Sequence, residues 1–200
     1  GTFAWADDTI APSVADSNAT EHEVVFTPDD ENTYSPVSCM IKVEVAKADP
    51  EYTAPTGLTA TYGDTLADVT ITQPENGTWA FADATLSVGE VGTNTFKATF
   101  TPADSVNYNT VENVDVSVKV AIADLTVDEA PVASAITYGD TLADSILEEG
   151  VVLFDDTEVA GTFAWADDTI APSVADSNVT EYEVIFTPES ESFNPVSVRS

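Results

Sequence analysis

"GTFAWADDTIAPSVADSN" occupies residues 1–18, and the same eighteen letters return at 161–178. Carried on to the next proline, 1–28 and 161–188 differ only at Ala19/Val179, His22/Tyr182 and Val25/Ile185. A looser copy starts at Gly77, "GTWAFADATLSVGEVGTNTFKATFTP", in which the two aromatics trade places but keep their spacing. In an extended chain, side chains two apart share a face. Phe3 and Trp5, Trp79 and Phe81, and Phe163 and Trp165 therefore point the same way, and their summed volume is conserved between copies. A packed interior tolerates that kind of exchange, so these pairs are read as core and not as a sugar-stacking surface.

The same period of two runs outward from this stretch. In "TNTFKATFTP" Phe96, Ala98 and Phe100 alternate with Thr95, Lys97 and Thr99. In "VENVDVSVKV" Val114, Val116, Val118 and Val120 alternate with Asp115, Ser117 and Lys119, and "IKVEV" repeats the pattern with Ile41, Val43 and Val45. These are half-buried antiparallel strands. Nothing long shows a helical period; "TLAD" after "YGD" allows a single turn. The predicted fold is all-β: tandem antiparallel β-sandwich (Ig-like) repeats, elongated, with Phe26, Phe100 and Phe186 joining the aromatic pairs in the core.

A second marker, "TYGDTLAD", stands at 61–68 and 137–144. Its glycines, Gly63 and Gly139, suit a tight turn with positive φ. Joints fall at "AKADPEYTAP" (46–55) and "AIADLTVDEAP" (121–131), which have no apolar periodicity and read as short linkers. The predicted organisation is a partial repeat at 1–48, a complete one at 49–123, and a near-complete one at 124–200. The last carries a longer hairpin at 145–160, where "VVLF" is read as adding an edge hairpin or embellishing a strand. If "TYGDTLAD" marks the first half of a repeat and "GTFAW…FTP" the second, the chain has three second halves and two first halves. The apolar face of 1–48 (Phe3, Trp5, Val24, Phe26, Cys39, Ile41, Val43) then requires cover, from the neighbouring unit or from the same segment of a second chain as a homodimer.

Composition narrows function. Apolar residues make up 43%, enough for small cores, while 36 acidic residues against 5 basic give a net charge of −31. Nucleic acid and anionic membrane surfaces both require a basic face, so neither is a predicted partner. No apolar run is long enough to span a bilayer, and a lone Cys39 excludes an internal disulfide.

Candidate chemical groups read as structural. His22 aligns with Phe96 and Tyr182, an aromatic-sized position at the core edge, with no second histidine or cysteine beside it. Cys39 aligns with Val114 and Val198 and reads as a small buried hydrophobe. Asp7–Asp8 and Asp167–Asp168 read as turn and rim residues, since glycoside hydrolysis needs carboxylates facing across a cleft, and the middle copy has Ala84 at the second position. "DDEN" (29–32) lacks the spacing of a calcium loop. Lys42, Lys97 and Lys119 lie on the outward strand parity, which argues against isopeptide cross-links. No catalytic, cofactor or metal residues are predicted, no cofactor, and no enzymatic activity. After each "FTP" an acidic loop leads to an aromatic (Tyr34, Tyr108, Phe193), read as an anchor for the last strand; in such a sandwich a tyrosine there often bonds its hydroxyl to backbone.

The motifs "TYGDTLAD" and "FTP…Y", set in "YTAPTGLTATYGDTLADVTI" and "VGTNTFKATFTPADSVNYNTVENVDVSVKV", resemble MBG-type all-β tandem repeats of bacterial, mainly Gram-positive, cell-surface and adhesin-like proteins. The resemblance covers essentially the whole chain. It implies an extracellular, cell-surface location, adjacent repeats as the main partners, and a non-enzymatic stalk or spacer role, with glycan or host-protein binding as the alternative. It supplies no site residues.

Overall fold

The computed structural model describes residues 1–177 and 179–199, and in it the chain is all-β, with no helix longer than a 3-10 turn. Among the described residues fifteen strands form. The first sheet has the order β1 (Thr2–Trp5), β2 (Glu21–Thr27), β3 (Val37–Lys42). A four-stranded sheet follows, containing β4 (Leu58–Thr61), β5 (Gly77–Phe81), β6 (Gly92–Pro102) and β7 (Val111–Ala121) in the order β4-β7-β6-β5. Next come β8 (Thr126–Glu129), β9 (Val132–Ala133), β10 (Leu147–Glu148), β11 (Val151–Phe154) and β12 (Thr157–Glu158), with β9 paired to β10 and β11 between β8 and β12. The last sheet is β13 (Gly161–Trp165), β14 (Glu183–Pro188), β15 (Val196–Arg199). β1–β2, β2–β3, β5–β6, β8–β11, β9–β10, β11–β12, β13–β14 and β14–β15 pair antiparallel, whereas β4 and β7 run parallel with Leu58 opposite Val118.

Two compact units result. One contains residues 1–56, 71–84 and 96–116, the other 57–70, 85–95 and 117–200. The middle repeat of the sequence is thus divided between them. In the first unit Trp79 and Phe100 are buried with ring centroids 5.2 Å apart, and Tyr52 packs against both. Gln73, the chain's only glutamine, holds the outer edge of β5. Its Oε1 accepts from Trp79 N–H at 2.6 Å and its Nε2 donates to Trp79 O at 3.0 Å, as a neighbouring strand would. In the second unit Leu125, Val152 and Phe186 form a core against which Val127, Phe154, Val159, Phe163 and Val196 pack.

The aromatic exchange takes the same form in all three copies. Phe3 lies opposite Phe26, Trp79 opposite Phe100 and Phe163 opposite Phe186, at 4.9, 5.2 and 4.9 Å. The second aromatic meets the core-edge position edge-on in each: Trp5 on His22, Phe81 on Phe96 and Trp165 on Tyr182, all at 6.4 Å. His22 is therefore an aromatic spacer.

Burial differs between the copies. Trp79, Phe100 and Phe186 are buried and Phe81, Phe163, Trp165 and Phe26 half-buried, but Phe3 is 72% exposed and Trp5 44%. Cys39 is likewise exposed, although it pairs with Val24 as Val198 pairs with Val184. The strand parity is the predicted one; what differs is that the β1–β3 face is left exposed. The "VVLF" segment forms a hairpin with β12, which lies at the edge of its sheet. β11 is the middle strand of its sheet and Val152 is 1% exposed. The hairpin turns through Asp155 and Asp156 at φ 47° and 61°, the positive-φ pair of a tight two-residue turn. Gly63 and Gly139 adopt the predicted positive φ, 97° and 104°.

Candidate functional site at the joints

Both linkers contain the letters A-x-A-D, at 46–49 and 121–124. Each closes onto the loop that follows "FTP" in the next copy. At the first, Ala48 N–H donates to Asn107 O at 2.9 Å and Asn109 N–H donates to Ala48 O at 2.8 Å, a parallel bridge between Ala48 and Tyr108. Asn109 Nδ2 then donates to Asp49 Oδ1 at 2.9 Å. At the second, Ala123 N–H donates to Ser192 O at 3.0 Å, Asn194 N–H donates to Ala123 O at 3.1 Å, and Asn194 Nδ2 donates to Asp124 Oδ1 at 2.9 Å. The linkers are clasped, each by two backbone bonds and one charge-assisted side-chain bond, the stronger kind of contact.

The loops are shaped for this. Asp104 accepts from Asn107 N–H and Nδ2, and that amide, through its side chain first, holds the carboxyl below its usual value. Asn107 Oδ1 in turn accepts from Val14 N–H at 2.9 Å, and Lys47 Nζ donates to Ser105 O at 2.7 Å. At the second joint Tyr62 stands edge-on to Phe193 at 5.3 Å, and Phe193 packs on Phe154 at 5.0 Å. Gly63 lies so close to Phe154 that a Cβ would come 2.5 Å from its Cζ. A cleft of about 630 Å³ runs beside this cluster, lined by Tyr62, Glu90, Phe154 and Phe193 among others. The backbone bridge at Tyr108 and Phe193 runs through the residues on either side, and no hydroxyl takes part in it, so one position accepts tyrosine or phenylalanine.

The acidic residues are engaged in local turns. Asp7 accepts from the Thr9 hydroxyl and N–H at 2.6 and 2.9 Å, and Asp167 from Thr169 at 2.6 and 3.0 Å. Asp16 and Asp176 close 3-10 turns by accepting from Ser13 and Ser173, and Asp68 closes a turn by accepting from Thr65. These bonds lower the carboxyl pKa values: the serine or threonine hydroxyl first for Asp7, Asp16, Asp167 and Asp176, the Thr65 N–H first for Asp68. Among the described residues no group of three or more His, Cys, Asp or Glu side chains is placed to hold a metal ion. Lys97 pairs with Asp115 at 2.6 Å on the exposed side of the strands.

Sequence reasoning took the joints for short linkers and Tyr108 and Phe193 for anchors of the last strand, and did not join the two. The signal was present: A-x-A-D twice, each answered by aromatic-Asn (Tyr108-Asn109, Phe193-Asn194). The architecture is that of an all-β, sandwich-like protein. No known family, curated protein or solved structure matches the chain. No helix among the described residues is long and apolar enough to cross a membrane.

Proposed function

We propose that the chain is a non-enzymatic spacer: tandem Ig-like β-sandwich repeats that hold another domain away from a bacterial cell surface. The observation that carries this reading is the recurrence of one clasp, atom for atom, at both joints. A spacer requires linkers that do not swing freely, and each linker here is tied to the neighbouring loop by two backbone bonds and an Asn–Asp bond. The charge of −31 supports the role, since like-charged stalks repel one another and stay dispersed. The resemblance to cell-surface repeats supports the location.

A glycan and host-protein array tests the choice between spacer and binding module. A spacer returns no binding. A saturable ligand of micromolar or tighter affinity overturns the reading. Deleting residues 148–158 cannot serve as the control, because that segment includes core Val152.

A further inference from the structure

The faces of β1–β3 and β13–β15 are built from nearly the same residues, yet only one is covered. On β13–β15, Phe163, Phe186 and Val196 share a core with Leu125, Val152 and Phe154. Gly150 sits so close to Phe163 that a Cβ would come 2.5 Å from its ring. Leu142 N–H donates to Ile170 O at 2.9 Å and Ala143 N–H to Asp168 O at 3.0 Å. The middle copy repeats that contact: Leu66 N–H donates to Leu86 O at 2.9 Å, with Leu66 buried. On β1–β3 the equivalents Phe3, Ile10 and Val37 are exposed, as is Trp5 beside Phe3, while Phe26 is half-buried. A cleft of about 230 Å³ opens among Trp5, Ile10, Pro12, His22 and Val43. Leu142 lines a cleft with the counterparts Trp165, Pro172 and Tyr182.

We propose that the β1–β3 face is a docking site for a further chain segment of the type formed by residues 124–160, seated as those residues are on β13–β15. The leucine of its T-L-A-D turn enters the Trp5–His22 cleft, and its N–H and the next bond the carbonyls of Ile10 and Asp8. Its V-V-L-F strand covers Phe3 and Phe26. A second copy of the β1–β3 face fits less well, since it brings no T-L-A-D turn to those carbonyls. Residues 124–160 contain ten acidic side chains and no basic one. Docking therefore works against charge repulsion and strengthens with salt. The face accepts this segment whether or not the chain acts as a spacer.

The test extends the full chain at Gly1 with residues 124–160, joined as they precede Gly161. The readouts are the reaction rate of the Cys39 thiol and hydrogen exchange across β2 and β3. The extension is expected to slow Cys39 labelling at least tenfold and to protect both strands, more so at 0.5 M NaCl. The same extension carrying Leu142→Asp and Val152→Asp in the added segment should label as fast as the original chain. Labelling within twofold of the unextended chain overturns the proposal. So does a concentration-dependent dimer of the unextended chain that itself protects Cys39, which would make a second copy the occupant.

Discussion

Replacing Gly161 with alanine puts a methyl carbon 2.3 Å from Phe186 Cζ and 2.6 Å from the Thr187 carbonyl oxygen. Phe186 is buried in the core with Val152 and Leu125, so its ring has nowhere to swing, and the carbonyl belongs to the paired strand β14. Gly77 is the same site in the middle copy, with Phe100 Cζ at 2.5 Å and Thr101 O at 2.5 Å, and Phe100 fully buried. Overpacking of this kind costs about 1–3 kcal/mol. In a domain of this size each kcal/mol lowers the melting temperature by about 4–8 °C. Gly1→Ala meets the same atoms on paper, but there Phe26 is only half-buried and its ring has room to give. It should cost under about 0.5 kcal/mol, the range of a surface change. Urea unfolding followed by tryptophan emission reads all three, since Trp79 packs on Phe100 and Trp165 neighbours Phe163 along β13. Pairing Gly77→Ala with Phe100→Leu frees space for the methyl, and the two costs should then sum to less than their parts by about 0.5 kcal/mol or more. Equal, small losses at all three glycines would refute the argument, because they would show that the phenylalanines do not lock over β5 and β13.

Three further outcomes follow from the charges and the exposed face. Melting temperature should rise between low salt and 0.3 M NaCl, as screening within about 8–10 Å relieves the self-repulsion of a chain at −31; a flat response counts against it. Asp7, Asp16, Asp68, Asp104, Asp167 and Asp176 have folded pKa values below the ordinary carboxyl value of 3.8. Their contribution is therefore intact above that pH and is lost as pH falls through the lower folded values; relief of the overall repulsion is nearly common to the chain and its Asp176→Asn variant, so the stability gap between the two should shrink below about pH 3.8, and a gap absent at pH 5 would mean the turn is unformed. Cys39 should react with a water-soluble disulfide reagent in the native chain at a rate near that of a free thiol, and a rate slowed a hundredfold would show the face covered.

The sequence revealed the strands because their chemistry is local. Val114, Val116, Val118 and Val120 alternate with polar residues whatever packs on them, and the Trp79/Phe81 exchange announces a shared face by itself. It revealed the role of His22 through alignment with Phe96 and Tyr182. Exposure was not legible, because Phe3 and Phe163 have identical neighbours for fifteen residues on the C-terminal side. Whether 124–160 or its like lies over them is a tertiary fact that strand parity does not contain. Val151–Phe154 announced a hairpin but not its depth: an apolar run reads the same at an edge as in the middle of a sheet, and Val152 belongs to the core. The joints were missed because their bonds join residues about 60 and 70 positions apart, Asp49 to Asn109 and Asp124 to Asn194, and a pairing of that span appears in sequence only as a recurring pair of short words.

The proposal that clasped joints hold the repeats as a spacer is tested most directly by amide hydrogen exchange at the two joints. The account predicts slow exchange of the Ala48, Asn109, Ala123 and Asn194 N–H groups, which the clasps bond, and faster exchange at the matching joint when Asn109→Ala or Asn194→Ala removes the bond to Asp49 or Asp124. Exchange at the rate of an unstructured chain at both joints of the unaltered protein would contradict it.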